Sequence, residues 1–265
     1  MSYKTLKFES GGGVATITLN RPDAHNVLNA DMVRDLMEVS LICADDAAVR
    51  AVLLTAEGKA FCAGGDLVSF AQAGEAVSRH ITEMTTYLHT ACSRFARMDA
   101  PMVVAVNGVA AGAGLSLAAM GDFAIAASSA KFTSAYTGAG LTPDGSCTWF
   151  LPRLMGLRRA QELIFTNRVL SAKEAQEWNL INRVVDDSDL RDEAVAVATK
   201  LADGPTGAFG KVKQLLQYSA IDSLEGQMER EARTIAAAAS LPEGQEGIHA
   251  FLEKRRPNFR DLQEG

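Results

Sequence analysis

The sequence contains few cysteines, and they stand far apart. Cys43, Cys62, Cys92 and Cys147 form no Cys-x-x-Cys pair, and none has a histidine at ligand spacing. Neither the pattern of a zinc site nor that of a disulfide framework is present. We therefore expect no bound metal, and the unpaired thiols fit a reducing compartment, the cytoplasm.

The sequence also lacks an excess of basic residues and a long apolar run. The formal net charge is −6 and the isoelectric point is about 5.3, so no broad cationic surface is available for phosphate backbones or anionic lipids. No apolar run of a signal peptide is present, and no stretch reaches the roughly 18 apolar residues of a membrane helix. We expect a cytoplasmic protein that binds neither nucleic acid nor membrane.

The remaining composition is that of an ordinary globular protein. Of the 265 residues, 48% are hydrophobic and 22% are charged, which suffices to bury a full core. Strand and helix patterns alternate through the first two thirds of the chain and predict an α/β fold. The predicted strands are 3–9 and 14–20, joined as a hairpin, and 51–54, 101–106 and 123–127, and the predicted helices begin at Asn29 and span 76–98.

Beyond about residue 155 the strand patterns thin, and helical patterns follow one another. The predicted helices are 157–166, 171–178, 189–202, 206–218, 223–239 and 244–254. We expect them to complete the core or to form contacts between subunits.

Two glycine-containing turns carry the main chemical signal. The first, residues 59–67, approaches as a strand, breaks at Gly64 and Gly65, and resumes as a helix; the second, residues 106–115, leaves a buried strand and enters a helix after Gly112. N–H groups at a helix start lack partners and attract anions. One amide from each turn, facing the same point, can stabilise the oxyanion of an enolate or of a tetrahedral thioester intermediate. Either turn alone is also compatible with packing only.

Together with other motifs, the two turns resemble the enoyl-CoA hydratase/isomerase superfamily, also called the crotonase superfamily. The matching motifs lie at 19–23, 26–29, 60–67, 101–122, 140–145, 170–172, 175–180 and 251–255. The resemblance covers nearly the whole chain and implies an α/β crotonase fold, similar to that of ClpP. It implies repeated ββα units that form a spiral core over 1–200, with a C-terminal helical trimerisation region over 201–265. Members usually form homotrimers or dimers of trimers.

The same resemblance assigns roles to residues around the turns. It implies that the amides of Ala63 and Ala113 form the oxyanion hole, and that Phe251 and Lys254 lie near the adenine of coenzyme A, from the same or a neighbouring subunit. The residues that it places along the substrate channel are Ala24, His25, Val27, Ala63, Gly64, Gly65, Asp66, Leu67 and Gly112. The acyl-CoA thioester is then the substrate. No separate cofactor is expected, because Leu117 occupies the place of the third glycine of a dinucleotide fingerprint.

The chain departs from the hydratases of this family at both of their catalytic glutamates. The matching positions hold Ser116 and Tyr136, so water addition by a glutamate pair is not expected. Asp144 stands where some isomerases of the family carry their single acid/base carboxylate. One carboxylate suffices to remove a proton and return it two carbons away while the anion hole stabilises the charge. The surrounding sequence resembles the isomerase branch that handles epoxidised phenylacetyl-CoA and unsaturated acyl-CoAs, so an isomerase is the expected activity.

Other interpretations remain open at this stage. Asp144 could cap the next helix, or it could be a nucleophile as in the family's 4-chlorobenzoyl-CoA dehalogenase, where His89 matches a catalytic histidine and Tyr136 replaces a tryptophan. Tyr136 could serve packing alone or orient the substrate through its hydroxyl. Hydration without the glutamates and non-catalytic acyl-CoA binding are further alternatives. Cys62 is interpreted as a small buried residue, and the segment near 68–80 is expected to be a loop that shapes the pocket.

Overall fold

A computed structural model describes residues 3–262, which form ten β-strands and eleven α-helices. The strands are β1 (Leu6–Gly11), β2 (Val14–Leu19), β3 (Ala51–Ala56), β4 (Ala60–Cys62), β5 (Met102–Val106), β6 (Val109–Ala111), β7 (Phe123–Ala127), β8 (Lys131–Thr133), β9 (Leu170–Ser171) and β10 (Arg183–Val185). The helices are α1 (Ala30–Asp45), α2 (Leu67–Gln72), α3 (Val77–Arg97), α4 (Ala113–Ala119), α5 (Cys147–Met155), α6 (Leu157–Thr166), α7 (Ala172–Glu177), α8 (Leu190–Ala202), α9 (Thr206–Tyr218), α10 (Leu224–Ser240) and α11 (Pro242–Leu252).

The strands form two sheets. The larger has the order β1-β2-β3-β5-β7-β10, and the smaller has the order β4-β6-β8-β9. The β1–β2 hairpin is antiparallel and turns at Gly12 and Gly13, whose φ angles of 59° and 79° suit a tight hairpin turn. The remaining pairs of the larger sheet are parallel, as expected for strands joined by helical crossovers.

Successive strands alternate between the two sheets. β3, β5 and β7 lie in the larger sheet, and the strand that follows each of them, β4, β6 or β8, lies in the smaller one. A helical segment then leads to the next pair. The chain therefore advances as repeated ββα units, which confirms the predicted α/β spiral core.

Both faces of the larger sheet are covered, which explains its continuous apolar strands. Val52 and Leu54 join the cluster formed with α1 and α3, whereas Leu53 and Val103 face the opposite side. There they pack against small residues of α8, Ala194 among them. Neighbouring residues of one strand are thus all buried, because each sheet face has its own layer of helices.

The observed elements agree with most predicted ones, and the differences lie in several short strands, in α5 and in the segment near 68–80. α1 begins after Asn29, whose side chain accepts a hydrogen bond from the Met32 amide at 3.0 Å. The expectation of a loop near 68–80 is wrong, because Asp66 caps α2 through the Ser69 amide and α3 begins at Val77. The short strands β6, β8, β9 and β10 were not predicted, since two or three residues are too few to show a period. Helix α5 was not predicted either.

The C-terminal region consists of helices, as predicted, and α9 packs against α3 of the core. No helix in the described part of the chain is long and apolar enough to cross a membrane. Exposed apolar side chains are frequent on these last helices, with Leu216, Ile221, Leu224 and Ile235 each about two thirds exposed or more. Exposed apolar side chains in such number are typical of a face that contacts another subunit.

A buried lysine attaches α9 to the core. The Lys213 ammonium lies 2.7 Å from a carboxylate oxygen of Asp122, and it donates to the carbonyls of Phe95 at 3.0 Å and Ala100 at 3.3 Å. The Lys213 side chain is only 9% exposed, whereas that of Asp122 is 31% exposed. A buried ammonium needs such partners, because burial without them is costly.

Replacing Lys213 with alanine is expected to lower the free energy of unfolding by about 2 kcal/mol, the value of a charge-assisted hydrogen bond with a partly exposed partner. Denaturant unfolding measures the change. Lys211 lies on the same helix and is exposed, so Lys211→Ala is the matched control and should change stability by less than about 0.5 kcal/mol. Equal losses in the two variants would contradict the anchoring role of Lys213.

Candidate active site

The two glycine turns lie side by side because the strands that precede them are neighbours. β4 and β6 are adjacent and parallel in the smaller sheet, so their carboxyl ends meet at the same edge. The backbones that follow are in direct contact. A Cβ atom at Gly114 would lie 2.0 Å from the Cys62 carbonyl oxygen, and Gly64 has a φ of 104° and would place a Cβ 3.1 Å from the Ala111 carbonyl. Only glycine permits this approach.

The structure shows which amides of the first turn are available. The Ala63 N–H donates to the His25 carbonyl at 3.1 Å, so it is already engaged. The Gly64 carbonyl accepts from the Leu28 amide at 2.7 Å. The C=O and N–H of a trans peptide point in opposite directions, so the Gly65 N–H points away from the Leu28 backbone. The expectation that Ala63 supplies the amide of the first turn is therefore corrected to Gly65.

In the second turn, the predicted residue Ala113 stands at the start of α4. Gly112 caps α4 with φ 53° and ψ −125°, a conformation open to glycine, and Ala113 is the first residue of the helix. Within residues 3–262, the amides of Gly65 and Ala113 donate no hydrogen bond. Two N–H donors, one from each turn, are thus available beside the same pocket.

That pocket has a volume of about 290 Å³ and a mostly apolar lining. The predicted site residues that line it are Ala63, Gly64, Gly65, Leu67, Gly112, Ala113, Tyr136 and Asp144. The polar side chains of the lining are Thr85, Tyr136, Thr142 and Asp144. Among the described residues that line the pocket, Asp144 carries the only carboxylate.

Several lining residues were not predicted as site residues. They are apolar side chains from α1, α2, α3 and the loops: Leu28, Val33, Phe70, Ile81, Met84, Leu88 and Leu141. The helical stripe of α3 was visible in the sequence, but the same spacing describes a helix that packs against a core. No sequence pattern separates a side chain that lines a cavity from one that fills a core.

Other predicted residues lie around the first turn or away from the pocket. His25 contacts the turn through its carbonyl, and Ala24 and Val27 flank it in the same segment. Asp66 caps α2. Phe251, near the end of α11, is 83% exposed. Neither Phe251 nor Lys254 lines the pocket within this chain.

Two side chains donate hydrogen bonds to Asp144. The Tyr136 hydroxyl donates to Asp144 Oδ1 at 2.6 Å, and the Ser116 hydroxyl donates to the Asp144 backbone carbonyl at 2.8 Å. Burial first, and then the nearby Asp144 charge, raise the pKa of Tyr136, so its hydroxyl stays protonated and remains a donor. The alternative that Asp144 caps α5 is wrong, because Ser146 occupies the cap position and no side chain caps that helix.

His89 contacts the same turn from outside the pocket. Its Nε2 accepts a hydrogen bond from the Gly145 amide at 3.1 Å, which requires that nitrogen to be unprotonated. The residue is exposed and does not line the Asp144 pocket. His89 therefore contacts the backbone beside Asp144 rather than the space in which a substrate would lie.

The cysteines near the site are buried thiols. Burial raises the pKa of Cys62 and of Cys92 to about 12, and that of Cys147 to about 11. All three therefore remain protonated at neutral pH, and a thiol is a poor nucleophile in that form. The interpretation of Cys62 as a small buried residue is confirmed.

Comparisons with known proteins agree on one family. A sequence model of the family described as enoyl-CoA hydratase/isomerase matches residues 9–263. The chain is 40% identical over 249 residues to the 1,2-epoxyphenylacetyl-CoA isomerase of Escherichia coli K12, covering 93% of this chain and 95% of that protein. It is 35% identical over 251 residues to 4-chlorobenzoyl coenzyme A dehalogenase-2 of Arthrobacter sp, covering 94% and 91%. It also resembles the crystal structure of an enoyl-CoA hydratase from Polaromonas sp. JS666, with a TM-score of 0.91 and 31% identity over 96% of this chain and 99% of that chain.

The contact between the turns can be tested at Gly114. A Gly114→Ala substitution pushes a methyl group into the Cys62 carbonyl and is expected to lower the free energy of unfolding by about 3 kcal/mol through overpacking. Gly11 has no atom within 4 Å of a built Cβ, so Gly11→Ala is the matched control. Chemical denaturation of both variants measures the difference, and similar stabilities would show that the turns do not need their close approach.

Proposed function

Because the chain belongs to the enoyl-CoA hydratase/isomerase family and thus has the crotonase fold, we propose that it moves the double bond of an enoyl-CoA thioester, with Asp144 as its single acid/base. The observation that carries this proposal is the lone carboxylate of the described pocket lining, which lies in the same pocket as Gly65 and Ala113. Glutamates are absent from the positions at which the hydratases of the family carry them. One carboxylate is enough for a proton shift.

The proposed reaction conserves its proton. The Asp144 carboxylate removes a proton from a carbon beside the double bond, and the electron pair moves through the conjugated system to the thioester oxygen. The amides of Gly65 and Ala113 donate to that oxygen and stabilise its charge. The electron pair then returns, and the protonated Asp144 delivers the proton two carbons away. Nothing is consumed, so no separate cofactor is required.

The surroundings of the pocket suit such a substrate. The apolar lining accommodates an acyl chain, and the predicted channel residues Ala24, His25 and Val27 flank the first turn. We assign Phe251 and Lys254 to contact with the adenine in a homotrimer or dimer of trimers. The exposed apolar face of the last helices supports an assembly of that kind.

Nucleophilic dehalogenation is the second candidate. A relative at 35% identity is named as a 4-chlorobenzoyl-CoA dehalogenase, and Asp144 and His89 match the positions of its aspartate and histidine by resemblance. The geometry of His89 favours the isomerase instead. Its Nε2 is occupied by the Gly145 amide, and the ring does not line the pocket.

The central test is Asp144→Asn. Asparagine keeps the shape and can still accept from the Tyr136 hydroxyl, but it cannot take up a proton, so turnover of 3-enoyl-CoA to 2-enoyl-CoA is expected to fall by about 100-fold or more. The conjugated product is followed by its ultraviolet absorbance, and binding of the acyl-CoA is measured separately. Asp192 is exposed, and Asp192→Asn is the matched control. A fully active Asp144→Asn variant would overturn the mechanism.

The same assay separates the alternative reactions. Hydroxyacyl-CoA formed from 2-enoyl-CoA would favour a hydratase, and halide released from 4-chlorobenzoyl-CoA would favour a dehalogenase. Tight binding of all three thioesters without turnover would favour a non-catalytic binding protein.

A substitution at His89 distinguishes a backbone contact from a direct role in proton transfer. A His89→Gln variant retains an oxygen that can accept from the Gly145 amide, so isomerase turnover is expected to fall by less than about tenfold. A histidine that transferred protons would instead contribute about 100-fold or more. Steady-state kinetics with 3-enoyl-CoA measures the change, and His249→Gln, at an exposed histidine of α11, is the matched control. A loss of 100-fold at His89 alone would assign it a direct catalytic role.

A further inference from the structure

Ser116 and Tyr136 are the two departures from the hydratase pattern, and the structure brings them together. Their hydroxyl oxygens lie 3.1 Å apart, although one residue belongs to α4 and the other follows β8. Both also contact Asp144. Ser116 and Tyr136 therefore form one cluster with Asp144, the proposed acid/base.

The shortest hydrogen bonds of the two hydroxyls reach different parts of Asp144. Tyr136 donates to the side chain at Oδ1, at a distance of 2.6 Å that is typical of a charge-assisted hydrogen bond. Ser116, whose side chain is fully buried, donates to the backbone carbonyl at 2.8 Å. Oδ2 makes no hydrogen bond within residues 3–262, which leaves one carboxylate oxygen for the substrate. The Tyr136 hydroxyl also lies 3.5 Å from the Asp144 backbone carbonyl, so that carbonyl contacts both hydroxyls whereas the carboxylate contacts only that of Tyr136.

The backbone after Asp144 needs such restraint. Gly145 and Ser146 follow with φ angles of 56° and 71°, and a left-handed conformation is unfavourable for serine. A Cβ at Gly145 would lie 3.1 Å from the Ser116 Cβ, so the turn packs directly on the serine. His89 Nε2 also accepts a hydrogen bond from the Gly145 amide. A turn with two successive left-handed residues persists only where its surroundings fix it.

From these contacts we infer that Ser116 and Tyr136 are positioning residues that together fix Asp144 with Oδ2 towards the acyl pocket. The inference rests on the proposed function, in which Asp144 is the acid/base. Ser116 and Tyr136 stand at the positions of the two hydratase glutamates. They supply no carboxylate themselves and instead position the carboxylate of Asp144. Its members therefore act as a unit, and loss of either one releases the same aspartate.

The test compares Tyr136→Phe, Ser116→Ala and the double variant in the 3-enoyl-CoA assay. Each single change is expected to lower kcat by about 10- to 100-fold, the range of one charge-assisted or buried hydrogen bond. KM should stay within about threefold, since the acyl pocket is unchanged. The double variant should have a kcat close to that of the less active single variant. The two fold-losses in kcat should not multiply, because both changes free the same residue, Asp144.

The pH profile separates positioning from a merely structural role. A carboxylate that has lost a hydrogen-bond donor takes up a proton more readily, so the acidic limb of kcat/KM should move to higher pH in Tyr136→Phe. Ser116→Ala leaves the carboxylate donor in place, so its limb should move less. Matched controls are Tyr218→Phe, on α9, and Ser40→Ala, a fully buried serine of α1. Neither should change kcat or the pH profile.

The outcomes are distinguishable. A Tyr136→Phe variant with the kcat of the parent and an unchanged acidic limb of kcat/KM would overturn the positioning role. Fold-losses in kcat that multiply in the double variant would overturn it as well. An inactive Asp144→Asn beside a fully active Tyr136→Phe would overturn only this inference, whereas a fully active Asp144→Asn would overturn the proposed function as well. Thermal unfolding accompanies each assay, and if Ser116→Ala fails to fold, the pH profile of Tyr136→Phe decides.

Discussion

The site depends on a backbone contact that leaves no room for a side chain. Gly114, in the first turn of α4, lies against the Cys62 carbonyl at the end of β4. This contact sets the distance between the two turns and therefore between the amides of Gly65 and Ala113. It also sets the position of α4, which carries Ser116 behind the turn of Asp144. One close approach of backbones thus places both the donors for a developing charge and one support of the carboxylate.

Main-chain N–H donors and side-chain groups have different roles in this arrangement. The amides of Gly65 and Ala113 belong to the main chain, so substitutions elsewhere in the pocket leave their chemistry unchanged as long as the turns keep their contact. Asp144, the proposed acid/base, and its partners Ser116 and Tyr136 are side chains on α4 and on the segment after β8. Relatives of this chain bear the names of an isomerase, a dehalogenase and a hydratase. A main-chain donor pair surrounded by side chains that can be exchanged is a physical basis on which one fold can support several reactions.

The fold was largely predictable from the sequence, because its long elements carry clear periods. The apolar runs of β3 and β5 and the stripe of α3 follow from burial alone. Which amide of the first turn is available was not predictable. Whether the Ala63 N–H is available depends on the His25 carbonyl, which the fold brings to it. The contact between Ser116 and Tyr136 was hidden for the same reason, since residue types and spacing do not show which hydroxyls meet across a helix and a loop. Sequence reasoning identified the residues, and the structure supplied their partners.

The hydrogen-bond donors at the two ends of the proposed proton transfer would favour that transfer. Negative charge begins on Asp144, where one hydroxyl, that of Tyr136, donates to it. As the carboxylate takes up the proton, the charge moves to the thioester oxygen, where two amides are available. The pocket between the two ends is mostly apolar, so water contributes little to either position and the fixed donors dominate. A second donor on Asp144 would stabilise the charge where it starts and oppose the transfer. Placing Ser116 on the backbone carbonyl, and not on the carboxylate, holds the aspartate in place without that penalty.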